Sequence, residues 1–179
     1  MVDVMEFDDF TSKQGSEQGI MAGVGVHYDR TEFGTPAPNE LETISVTGDV
    51  SFEMDGWNVF TSVSWTSFDN DATGAASIDF DSVGFVVQGG YYFTEKLEGF
   101  ARYELNDFDD FGITGASVDD LSILTFGVNH YYNDNVKATA DIGFAFDAVP
   151  VAADITGTRV DMAGDDGQFI LRSQLTLTF

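Results

Sequence analysis

Apolar and polar residues alternate one by one along most of this chain, and residues 168–179 show the pattern best. In Q-F-I-L-R-S-Q-L-T-L-T-F, one set is Phe169, Leu171, Ser173, Leu175, Leu177 and Phe179, and the other is Gln168, Ile170, Arg172, Gln174, Thr176 and Thr178. A period of two puts the sets on opposite faces of a β-strand, the first apolar except for Ser173 and the second polar except for Ile170. The same alternation predicts seven earlier strands, at 20–29, about 43–54, 57–68, 83–93, 96–105, 121–132 and 136–146. Most run to about ten to twelve residues, which suits a tilted strand crossing a bilayer and exceeds the usual soluble strand. Residues 1–19 form a connector or the end of a preceding strand, and 20–179 form one eight-stranded unit.

The connections alternate in length. Asp55-Gly56 is a hairpin pair, and Thr94-Glu95 and Asn133-Asp134-Asn135 mark two further tight turns. Between them fall long loops at about 30–42, 69–82, 106–120 and 147–167. Short turns at one end and long loops at the other are the asymmetry of an outer-membrane barrel. The expected fold is therefore all-β: an antiparallel up-and-down transmembrane β-barrel whose last strand finishes on the short-turn, periplasmic side.

Alternation alone does not say which face points inward. A soluble ligand-binding barrel turns its apolar face inside, and a membrane barrel turns it outside. Three features favour the second arrangement. The polar parity is mostly Ser, Thr, Gly and Asn, with few of the charges that a solvated outer face carries. Aromatic residues fall near strand ends on the apolar parity, with Trp57, Phe93, Tyr132 and Phe179 at the turn end and Tyr28, Trp65, Tyr103 and Phe146 at the loop end. These are expected as two lipid-interface girdles. The loops also hold more than half of the 31 Asp and Glu.

Composition narrows the classes further. The 179 residues suffice for one domain, and seven Lys and Arg against 31 acids give a formal charge of −24, which excludes nucleic acid as a partner. With no cysteine, disulfides and thiolate metal sites are excluded. No apolar run reaches the ~18 residues of a membrane helix. The opening M-V-D-V-M-E-F-D-D-F is acidic and is not a signal peptide, so the segment that exports this protein is expected to lie outside the chain. On the polar parity, Asp49, Glu53, Glu98, Glu104 and Asp141 oppose Lys96, Arg102, Lys137 and Arg172. These nine are the candidate pore-lining residues, nearly balanced in charge.

Several segments together resemble one family, the phosphate- and polyphosphate-selective porins (O/P-type) of Gram-negative outer membranes. They are F-D-D-F-T-S at 7–12, G-V-G-V-H-Y at 23–28, D-G-W-N-V-F at 55–60, G-F-V-V-Q-G-G-Y at 84–91, L-E-G-F-A-R-Y-E at 97–104, L-T-F-G-V-N-H-Y-Y at 124–132 and G-D-D-G-Q-F-I-L-R-S-Q-L-T-L-T-F at 164–179. The resemblance is to the carboxy-terminal half of such a porin. It implies the last eight strands of a 16-stranded barrel in the bacterial outer membrane, contact with membrane lipid, and recognition by the barrel-assembly machinery through the strand ending at Phe179. A homotrimer is the expected assembly. Phosphate channels of that family carry arrays of Arg and Lys in the constriction, and the four cations here are matched by acid. Phosphate selectivity is therefore not expected. The expected function is a passive diffusion channel, at most weakly anion-selective and favouring cations where the loops are acidic.

Two alternatives remain. Eight strands also make the smallest closed membrane barrel, which would serve as an anchor or surface-loop platform without a pore, and a soluble ligand-binding barrel is the third possibility. Catalysis is not expected, because neither His27 nor His130 has a nucleophile or acid at diagnostic spacing. No cofactor is expected. Loop-bound calcium is a weaker candidate, on Asp109, Asp110, Asp165 and Asp166, although no EF-hand spacing is present.

Overall fold

Tight turns force neighbouring strands to pair, and the sheet follows the chain order. The computed structural model describes residues 11–33, 39–71, 80–109, 120–133, 135–147 and 167–178. The strands are β1 (Gly19–Phe33), β2 (Asn39–Met54), β3 (Trp57–Asp71), β4 (Phe80–Thr94), β5 (Leu97–Asp109), β6 (Asp120–Asn133), β7 (Val136–Ala145) and β8 (Phe169–Leu177). They form one antiparallel up-and-down sheet in the order β1 to β8. The Asp55-Gly56 turn forms as its sequence requires, with Gly56 at φ 82°, a conformation that disfavours any side chain. Thr94 Oγ1 closes the next hairpin by accepting from the amides of Lys96 at 3.3 Å and Leu97 at 3.1 Å. Asn133 Oδ1 accepts from the amide of Asn135 at 2.9 Å in the third.

Most strands run further toward the loops than the hydrophobic pattern does. β1 continues to Phe33, β3 to Asp71 and β5 to Asp109, and β4 begins at Phe80. The ladder bonds backbone to backbone, so it persists after the side chains have turned acidic. At the other end, β5 begins at Leu97, leaving Glu95 and Lys96 in the turn.

The register joins eight amphipathic strands into two continuous faces. One row runs Ile20–Phe52–Val59–Gly89–Ala101–Phe126–Ile142–Leu171, each residue opposite the next. Every large apolar side chain exposed among the described residues belongs to this face, from Val24 at 81% and Leu171 at 69% to Trp57 at 41%. The buried residues are mostly polar: Ser12, Ser51, Glu53, Asn58, Glu98, Ser122, Thr125 and Gln168. Among the described residues, the buried apolar cluster is Leu121 and Ala145 with Ile123 against them. The sheet is inside out relative to a soluble domain.

A closed barrel was expected, and the sheet is open. β1 and β8 are its two edges and do not pair with each other. Side chains of β1 from Ala22 to Glu32 are exposed on both faces. A physical reason lies on the polar face, where the main chain of residues 11–16 lies across the sheet beside Tyr92 and Tyr131. An eight-stranded ring has an interior that side chains alone fill.

Gly56→Ala is expected to cost about 1–2 kcal/mol, the penalty for a Cβ in the left-handed region. Gly48→Ala, where an added Cβ meets nothing within 4 Å, serves as the neutral control. Urea midpoints of the detergent-solubilised protein measure both, and equal midpoints would contradict the assigned turn.

Candidate functional site

The apolar face ends abruptly. In β1 it passes from Tyr28 to Arg30 and Glu32, in β2 from Ile44 to Glu42 and Glu40, and in β3 from Trp65 to Ser67 and Asp69. β4 shows Val83 next to Asp81, β5 Leu105 next to Asp107, and β6 Leu124 next to Ser122 and Asp120. An acidic collar therefore caps the band at the loop end, with Arg30 paired to Glu40 at 2.7 Å. From Trp57 to Trp65 is eight residues of strand, or about 26 Å at ~3.3 Å per residue. A tilt of ~40° lowers that to roughly 20 Å, comparable with the ~25 Å apolar band of membrane barrels.

The expected girdle residues share this face. Trp57, Phe93 and Tyr132 stand exposed near the short turns, and Tyr28, Trp65 and Phe146 near the other margin. Tyr103 is half-buried at the middle of β5 instead of near its end, because the strand continues to Asp109. Phe179 lies outside the described residues. His130 also points to this face, its ring 4.6 Å from that of Tyr132, while His27 sits on the polar face opposite Ser45.

The polar face brings five of the nine candidate wall residues together. Glu98, Arg102, Lys137, Asp141 and Arg172 line one open cavity of about 610 Å³ with Gln88, Thr125 and Asn129. Arg172 Nε donates to Asp141 Oδ1 at 2.7 Å across β7 and β8, and Arg102 pairs with Glu104 on its own strand. The Lys137 ammonium stands 5.8 Å from the centre of the Tyr131 ring. Asp49 lies apart, over Gly23 of β1. Glu53 is buried near the Asp55-Gly56 turn. Lys96, expected on the wall, is exposed in the β4–β5 turn, its Nζ 3.4 Å from the Tyr132 carbonyl. The one-residue irregularity between Tyr92 and Thr94 moves it out of the alternation.

At the short-turn end the polar face is locked by Glu98, 1% exposed. Its Oε1 accepts from Thr11 Oγ1 at 3.2 Å and Asn58 Nδ2 at 3.3 Å, and its Oε2 from Asn129 Nδ2 and Tyr131 OH, both at 2.9 Å. Asn129 in turn accepts from Thr139 at 2.7 Å. The cluster thus ties β3, β5, β6 and β7 to the segment before β1. Gly90 makes the space, since a Cβ there would stand 2.5 Å from Glu98 Oε1 and 2.9 Å from Asn58 Nδ2.

The connector itself is part of the site, which the sequence did not suggest. Thr11 Oγ1 lies 2.8 Å from Tyr92 OH, and Ser12 Oγ donates to the Met54 carbonyl. Gln14 Nε2 reaches the Tyr92 carbonyl at 3.3 Å, and the Gly15 amide reaches Asp55 Oδ1 at 2.6 Å. Of the calcium candidates, Asp109 is the last residue of β5, and Asp110, Asp165 and Asp166 lie outside the described residues. No group of three His, Asp or Glu fit to hold a metal occurs among the described residues.

Glu98→Ala strands several buried donors and is expected to cost about 2–4 kcal/mol. Arg172→Gln breaks a half-exposed pair and should stay within about 1 kcal/mol. Urea midpoints would check the contrast, and equal losses would show that Glu98 is not the lock. Comparison with protein-family models finds no match for this chain, and comparison with curated proteins finds none.

Proposed function

We propose that this chain is the carboxy-terminal wall of a porin in the bacterial outer membrane, a passive diffusion channel for small ions and solutes. The observation that carries the proposal is the inverted sheet, an outer apolar band of uniform phase bounded by an acidic collar and backed by a polar face. Lipid would cover the band, and water would wet the Ser, Thr, Gly and charged side chains behind it. Further strands would complete the barrel against the edges of β1 and β8, because lipid cannot satisfy open edges. Assembly would proceed through the last strand, and a trimer is the proposed oligomer. No step of catalysis and no cofactor belongs to this mechanism.

Selectivity follows from the wall charges. Arg172–Asp141 and Arg102–Glu104 neutralise each other, and Glu98 is saturated by donors. With Lys96 off the wall, five acids face three cations, so the wall and the acidic loop end together set a weak cation preference. A closed eight-stranded anchor is the less favoured alternative, because the segment at 11–16 occupies the space that such a ring lacks. A soluble barrel would need the opposite face inward.

Two measurements test this proposal. Both tryptophans of the chain lie on the apolar face, so brominated lipid should quench their fluorescence in proteoliposomes while aqueous iodide leaves it nearly unchanged. Planar bilayers holding the protein in a potassium chloride gradient should give a small reversal potential of cationic sign. Quenching by iodide instead of lipid would exclude membrane burial, and a strong anion preference would exclude the charge assignment.

A further inference from the structure

The segment ahead of β1 does more than connect. Leaving β1 at the short-turn end, it turns back over the polar face and touches successive elements as far as β6. Its contacts are made at Met54 of β2, at Asp55 and Gly56 of the first turn, at Tyr92 of β4, at Glu98 of β5 and at Tyr131 of β6. The Lys13 carbonyl accepts from the amides of Ser16 at 3.1 Å and Gly56 at 3.3 Å, and the Gly56 carbonyl accepts from the Tyr92 amide at 2.9 Å. The segment is therefore stitched to the sheet through main chain as well as side chains. The Lys13 ammonium lies 5.7 Å from the centre of the Tyr131 ring, the ring that Lys137 also approaches. Ser12 is 1% exposed and Thr11 half-buried, so the strap is packed at that end, while residues 13–16 are exposed and held by hydrogen bonds.

We propose that residues 11–16 are an aperture-setting strap that narrows the short-turn mouth of the channel, latched by Thr11 on the Glu98–Tyr92–Tyr131 cluster. The proposal rests on the channel function proposed above. The strap occupies the side that faces the lumen, at the level where the hairpins end, and main chain takes space that wall side chains alone would leave to water. Its latch residues sit on the wall and its own hydroxyls on the strap, so the two can be separated by mutation without touching the strand ladder.

The test uses the full chain and two independent readouts. Thr11→Val/Ser12→Ala removes the strap's hydroxyl contacts, and Asp55→Ala, in an exposed turn, releases the other end at Gly15. Trypsin cleavage after Lys13 reports docking, because the carbonyl of that bond is held in the wild type. Cleavage should speed by about fivefold on losing the one contact of Asp55 and by about tenfold or more on losing the several contacts of Thr11 and Ser12. Conductance in potassium chloride should rise in the same variants. Equal cleavage of wild type and variants would overturn the docking, and faster cleavage with unchanged conductance would overturn the narrowing. Absence of conductance in every form, with the cleavage contrast preserved, would overturn the channel and the narrowing together while leaving the latch established.

Discussion

A backbone amide that has left water needs a partner, and in this molecule the seven antiparallel ladders between adjacent strands supply nearly all of them. That requirement, more than any packing of apolar side chains, holds the structure together. The ladders keep every strand in the same alternating phase, and a slip of one residue in any of them would mix the two faces. The phase is held from Ile20 on β1 to Leu171 on β8. Because the exposed large apolar side chains among the described residues emerge on one side, their burial from water can reward the fold only if something beyond the described sheet covers that side. In the proposed setting a lipid phase would do so, and the polar face would be the interior.

The two ends of the sheet are stabilised differently. At the short-turn end, Thr94, Asn133 and Gly56 close the hairpins, and the Glu98 cluster joins four strands to the strap. At the loop end, acids face one another across the ladder, as Glu42 faces Asp69 and Asp107 faces Asp120. Like charges directly opposite are unfavourable, and Arg30, paired with Glu40 at 2.7 Å, supplies a counter-charge there. The sheet is thus pinned at one end and electrostatically tense at the other, an arrangement in which loop-end strands loosen before turn-end strands as ionic strength falls.

Much of this was legible in the residues because it is local. A period of two, the Asp55-Gly56 pair and the spacing of turns specify strand number, order and which residues share a face, and each depends on residues close in the chain. The alternation also assigned Asp141 and Arg172 to one face, where they pair. Three features escaped for one reason: they depend on partners that the period does not contain. Thr11 meets Tyr92 and Tyr131 across 81 and 120 residues, and the S-K-Q-G-S-E-Q-G run around it looks like an ordinary turn-rich linker. Lys96 left the wall through an irregularity at Tyr92 and Thr94 that no side-chain pattern announces. Strand ends ran past the last apolar residue because the ladder is indifferent to side-chain polarity. Closure of the ring depends on strand number and curvature together, and alternation is the same in an open sheet as in a closed one.

The open edge of β1 has a consequence for whatever chain lies beside it. Its free amides and carbonyls recur at every second residue, so they act as a template with one admissible offset. A neighbour must set apolar residues beside Val24 and Val26 and leave its polar set beside Gly23, Gly25 and His27. At Gly23 the Asp49 carboxylate already fills the missing side chain's place, whereas at Gly25 nothing stands within 4 Å. A strand of equal hydrophobicity but opposite offset would set apolar groups on the polar face, so the edge discriminates among partners by phase and not by composition.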